Sequence, residues 1–246
     1  EIQSPNKNII IDNATIRNNG EYGLYLSFKY AEILNNITIN NTIIENNSRN
    51  GIYGYTTSYN TFIGDITIAN TVIINNNGSV KLRCGADVIF DNVTIVSPFS
   101  NGVEIIGNAQ YRIHMIVMRN VCIHNNNGSG VLVQYSNNTI IQNTTIANNN
   151  GYGIHLQYSK NISLIRTNIS DNNGFGLKVS SGTNVSLFYV DILNNNGSGV
   201  IVRGSCRIVT IMNSIISGNN GYGVYLNAGS GKIRNVTIMH TVISNN

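Results

Sequence analysis

The block GYGIHLQYSKNISLIRTNISDNN, residues 151–173, runs directly into GFGLKVSSGTNVSLFYVDILNNN, residues 174–196. Both open on Gly-aromatic-Gly and close on asparagine. Between these ends lie three short alternating apolar stretches, in the first block Ile154/Leu156, Ile162/Leu164 and Ile169. Alternation of period two over four or five residues predicts strands buried on one face. Three strands in 23 residues leave no room for a helix.

The same block, read outward in both directions, fills the chain. Asn-Gly pairs begin at Asn19, Asn50, Asn77, Asn101, Asn127, Asn150, Asn173, Asn196 and Asn220, at intervals of 31, 27, 24, 26, 23, 23, 23 and 24 residues. A unit of that size cannot bury its apolar face alone, so units must stack. Strand on strand in parallel, about 4.8 Å apart, they predict an all-β solenoid of nine to ten coils of roughly 23–30 residues, three short strands each, either as one domain spanning residues 1–246 or as a segment of a longer solenoid. The bend before each glycine requires residues that tolerate a left-handed backbone, as Gly and Asn do. Asparagines stacked in that bend can hydrogen-bond from coil to coil.

The runs NNNGSGVLV (125–133) and NNNGSGVIV (194–202), with NISLI (161–165) and TNISDNN (167–173), make the chain resemble the right-handed parallel β-helix proteins with pectate-lyase-like coils. The resemblance covers essentially the whole chain. It implies right-handed coiling, and in the family's enzymes the site lies on outward residues of the strand after the Asn-Gly turn. It implies no single activity, because one fold hosts many chemistries.

Composition narrows the function. The 246 residues include 45 asparagines and 39 isoleucines, and only 11% are charged. Disorder is excluded by the isoleucine content. The net charge of +4 is scattered rather than gathered into a basic stripe, so no nucleic-acid partner is expected. No apolar run is long enough for membrane insertion. Cys84, Cys122 and Cys206 have no metal spacing and read as free thiols. Fourteen sequons, at Asn13, Asn36, Asn40, Asn46, Asn77, Asn92, Asn127, Asn137, Asn143, Asn161, Asn168, Asn184, Asn196 and Asn235, point to N-glycosylation and an extracellular or cell-surface setting.

The strand after each Asn-Gly turn gives an outward column of Tyr25, Tyr53, Lys81, Glu104, Leu132, His155, Lys178, Ile201 and Tyr225. Glu104 is its one acid, too few for a calcium-dependent lyase. The paired acids and the motifs that the resemblance implies for a polygalacturonase-like hydrolase are also missing. His114, His124, His155 and His240 have no ligand spacing, so no metal or cofactor is expected. The least regular stretch, residues 81–124, makes Lys81, Arg83 and Glu104 the candidate polar surface site, with a plain cross-strand ion pair as the alternative. Tyr152, Phe175 and Tyr222 occupy Gly-aromatic-Gly turns, where rings either stack on sugars or seal the coil below.

No capping helix is expected at either end of the sequence, and the last residues read as the middle of a coil. The resulting expectation is a non-enzymatic structural subunit that stacks on itself into a filament, sheath or adhesive fibre. A polysaccharide-active lyase or hydrolase, or a carbohydrate-binding rod, is the alternative.

Overall fold

The computed structural model describes residues 2–3, 8–28, 36–56, 64–83, 86–97 and 99–246. They form a parallel β-solenoid of about nine turns. Ten strands stack into the first sheet, among them Leu24–Phe28, Gly78–Arg83, Val103–Ile106, Ile154–Gln157, Leu177–Ser180 and Val224–Asn227. The second and third strands of each coil form their own parallel ladders, as in Ile162–Ile165 on Asn184–Phe188 and Asn168–Ser170 on Asp191–Leu193. In two coils these strands merge into nine-residue strands, Ile66–Ile74 and Val88–Val96.

The register places like on like, which is why isoleucine is so abundant. Val131, Ile154, Leu177 and Val200 are stacked partners in the first sheet, Leu164, Leu187 and Ile211 in the second, and Ile146, Ile169, Ile192 and Ile216 in the third. All are fully buried. Each β-branched side chain fills a pleated, half-buried surface for which its χ1 is already suited.

Asparagine explains the corners. At the bend into the first sheet, Asn46, Asn75, Asn125, Asn148 and Asn194 have φ between 54° and 56°. At the bend between second and third strands, Asn13, Asn41, Asn70, Asn92, Asn120, Asn143 and Asn213 are also left-handed. Asparagine accepts that conformation at lower cost than other L-residues. Next to the first series runs a buried amide ladder. Asn126, Asn149, Asn172, Asn195 and Asn219 each donate both the backbone N–H and Nδ2 to Oδ1 of the next member, ending on Asn246, at 2.7–3.2 Å. The backbone N–H and Nδ2 of each of these buried asparagines are thereby paired.

The ladder also fixes a glycine. A Cβ on Gly153 would lie 2.4 Å from Cγ2 of Ile169 and 3.0 Å from Nδ2 of Asn172, and Gly130, Gly176 and Gly199 repeat that contact. Register puts Ser79 in the same column, and there the ladder position is taken by a smaller residue, Ser97, whose N–H donates to Oδ1 of Asn126 at 2.7 Å.

Candidate functional site

The outward face of the first sheet carries the expected column in register: Tyr25, Tyr53, Lys81, Glu104, Leu132, His155, Lys178, Ile201 and Tyr225. Two of these residues are outward yet covered, Ile201 at 2% and His155 at 8% exposure. Alternation sets the direction of a side chain but not what lies over it. A second outward column, two residues further along each strand, includes Arg83, Ile106, Gln134, Gln157, Ser180, Arg203 and Asn227.

Of the predicted polar site, Lys81 and Glu104 come together, Nζ to Oε1 at 2.9 Å. Arg83 joins the second column and lies over the ring of Tyr55, 5.4 Å from its centroid. The ion pair is partly solvated and adds little stability. It also removes the one acid of this column from any role as a free base.

Aromatic rings and cations organise the rest of the face. Tyr22, Tyr25 and Tyr53 stack with centroids 4.8–5.7 Å apart, and Arg49 covers Tyr22 at 5.4 Å while pairing with Glu21 at 2.6 Å. Burial pushes the Tyr53 phenol up from its ordinary range. Further along, Tyr152 and Phe175 stack at 5.2 Å and 4°, and Tyr222 stacks on Tyr225 at 5.0 Å. The Tyr152–Phe175 pair therefore seals one coil against the next, whereas Tyr222 stacks within its own coil and is 65% exposed. Lys178 Nζ lies 4.8 Å from the Tyr152 centroid, and Arg203 lies 5.8 Å from that of Tyr225. Arg83, Lys178 and Arg203 form no salt bridge among the described residues.

The densest arrangement is Tyr152, His155 and Lys178, with Tyr152 edge-on to His155 at 5.2 Å and Lys178 directly above His155 in register. The imidazole is anchored through Nε2 to the amide of Gln157 at 3.1 Å, and Gln134 Nε2 donates to Oε1 of Gln157 at 2.9 Å. Burial, then the Lys178 charge, lowers the His155 pKa to about 4. The ring is neutral at pH 7, a state suited to proton transfer.

His114 pairs with Asp87 at 2.6 Å, and no group of three metal-ligating side chains exists among the described residues. Cys122 is half-buried and Cys206 buried, both free thiols pushed up in pKa by burial, while Cys84 lies outside the described residues. Several sequon amides are engaged between coils: Asn196 Nδ2 donates to Asn173, Asn184 to Asn161, Asn161 to Asn138 and Asn92 to Asn70, at 2.8–3.2 Å. No helix among the described residues is long and apolar enough to cross a membrane.

Sequence reasoning missed the Tyr152–His155–Lys178 grouping. The usable signal is that Lys178 follows His155 by 23 residues, one coil, so the two are neighbours on the face.

Residues 109–246, more than half of the chain, match the family described as right handed beta helix region, and the chain belongs to that family. No curated protein matches the sequence. Among solved structures the chain is similar to the A-module of Azotobacter vinelandii mannuronan C-5 epimerase AlgE6, with 15% identity and a TM-score of 0.55 over 96% of this chain and 64% of that one. It is similar to the AlgE4 A-module of the same organism, with 14% identity and a TM-score of 0.52 over 97% and 91%. The periplasmic alginate epimerase AlgG gives 13% identity and a TM-score of 0.51 over 95% and 74%. The chain thus spans just under two thirds of the AlgE6 module's length. At these identities the likeness establishes the fold. It also corrects one expectation, that of a non-enzymatic rod: the solved rods that this chain resembles are enzymes. Missing lyase and hydrolase motifs were therefore poor grounds for excluding catalysis.

Proposed function

We propose that the protein is an enzyme acting on an acidic polysaccharide, a polyuronate laid along the outward face of the first sheet. The observation that carries this reading is the Tyr152–His155–Lys178 grouping, a neutral imidazole under an uncommitted ammonium and beside a phenol. Lys178 holds the uronate carboxylate and stabilises the charge that develops on it when the proton at C-5 is removed. Tyr152 and His155 carry that proton away and return one. Arg203, one coil from Lys178 and over a tyrosine, binds the neighbouring carboxylate. Arg83, four coils away and also over a tyrosine, binds one further along the polymer, and the tyrosine rings support sugar faces. The periplasmic setting named for AlgG favours a place outside the cytoplasm. The filament reading draws no support from these comparisons.

The test is incubation of the protein with polymannuronate and polygalacturonate, followed by proton NMR of the sugar signals. Inversion at C-5, abolished by Lys178→Met and by Tyr152→Phe with the melting temperature retained, supports the reading. Tight binding of either polymer with no chemical change in it would replace the enzyme by a carbohydrate-binding rod.

A further inference from the structure

The bend into the first sheet reads Asn-Asn-Asn-Gly at 75–78, 125–128, 148–151 and 194–197, but residues 96–102 read Val-Ser-Pro-Phe-Ser-Asn-Gly. Ser97 replaces the ladder asparagine, its hydroxyl donating to the carbonyl of Asn76 at 3.1 Å. Beyond it Phe99 is 63% exposed. Such exposure is unusual for a phenylalanine, and no ring or cation covers it among the described residues. Phe99 forms one side of an open cleft of about 480 Å³ whose other walls are Asn46, Asn47, Ser48, Asn75 and Asn77.

The chemistry of those walls is specific. Asn47 is spent on the ladder, donating to Oδ1 of Asn76 at 2.7 Å. Asn46 and Asn75 are exposed, and their side chains make no hydrogen bond among the described residues. Asn77 uses one Nδ2 hydrogen on the Ser48 carbonyl at 3.1 Å. The charges alongside are already paired, Glu45 with Arg17 at 3.9 Å and Arg49 with Glu21 at 2.6 Å. A bare ring flanked by free amides and a hydroxyl, with no uncommitted cation, matches the apolar face and the hydroxyl rim of an uncharged pyranose.

We propose that this cleft is a neutral-sugar site, separate from the cationic face of the first sheet. The sugar has two possible sources. One is a free neutral oligosaccharide. The other is a glycan on the protein itself, because Asn77-Gly78-Ser79 is a sequon in the cleft wall, and the second Nδ2 hydrogen of Asn77 is left for the linkage.

The experiment has two arms. Unglycosylated protein is titrated with cellopentaose, mannopentaose and chitopentaose by calorimetry and by NMR of the Phe99 ring. Protein secreted from a glycosylating host is tested for Asn77 occupancy by mass spectrometry, and its melting temperature is read before and after glycosidase. Binding in the first arm that falls about tenfold in Phe99→Ala, the worth of one ring-stacking contact, and persists in Phe99→Tyr supports the site with a free ligand. A glycan on Asn77 that raises the melting temperature in wild type but not in Phe99→Ala supports it with the attached one. No binding in the first arm and no Phe99-dependent shift in the second overturns it, as does binding indifferent to Phe99→Ala. Neither arm depends on polyuronate chemistry.

Discussion

Coils 125–227 and the coil that closes at Ser97 obey the same inward rule, yet they treat the bend differently. In the regular coils a buried asparagine, a glycine and an isoleucine interlock at each turn. In the irregular one Ser97 and Ser79 replace the asparagine and the glycine together, and the chain beyond places Phe99 in solvent. The contrast teaches that the bend behaves as a packed unit: one member changes size only if its neighbour compensates, and surface novelty follows where it does.

Substitutions break this comparison in graded fashion. Asn172→Ala removes a ladder member from the regular coils and strands buried donors of Asn149 that now reach its Oδ1, so a loss of about 4 kcal/mol in chemical denaturation is expected. Gly153→Ala forces a Cβ against Ile169 and the carbonyl of Gly176. It should lower stability by about 2–3 kcal/mol, whereas Gly20→Ala, with nothing within 4 Å, should leave the melting curve in place. Ser97→Asn overfills the irregular bend and is expected to destabilise by about 1–2 kcal/mol. Adding Ser79→Gly should recover most of that loss, a coupling that a double-mutant cycle measures directly. Independent losses would show that the two serines do not compensate each other.

The smallest effect is electrostatic. His155 has a folded pKa of about 4, below the ordinary 6.5 of the unfolded chain. Between those values the unfolded state binds more protons, so stability is full above pH 6.5 and declines as pH falls toward 4. Melting temperatures of wild type should fall across that window more steeply than those of His155→Asn. In Lys178→Met, NMR titration should show the His155 pKa moved upward, because one of the two causes of its depression is gone.

Much of this was legible in the residues. The 23-residue spacing of Asn-Gly gave the coil, alternation gave the inward columns, and the two together placed Tyr25 through Tyr225 on one outward face. The buried ladder was foreseeable because Asn recurs where backbone amides would otherwise be stranded. What stayed hidden depends on side-chain reach. Nothing in the alternation tells that His155 is roofed over, that Arg83 turns to Tyr55 while Lys81 turns to Glu104, or that Lys178 stands over Tyr152. Outward positions are free of the packing that enforces the repeat, so their chemistry varies from coil to coil and leaves no periodic mark. The irregular stretch 81–124 carries the charges of the expected polar site, yet the Tyr152–His155–Lys178 grouping lies in coils that hardly deviate from the repeat.

Solvent exchange at the sugar carbon tests the central claim most directly. Polymannuronate incubated with the protein in D₂O should gain deuterium at C-5, and His155→Asn or Lys178→Met should suppress that gain while the rod remains folded. Polymer recovered with its C-5 protons intact, from wild-type protein shown to bind it, would contradict the account.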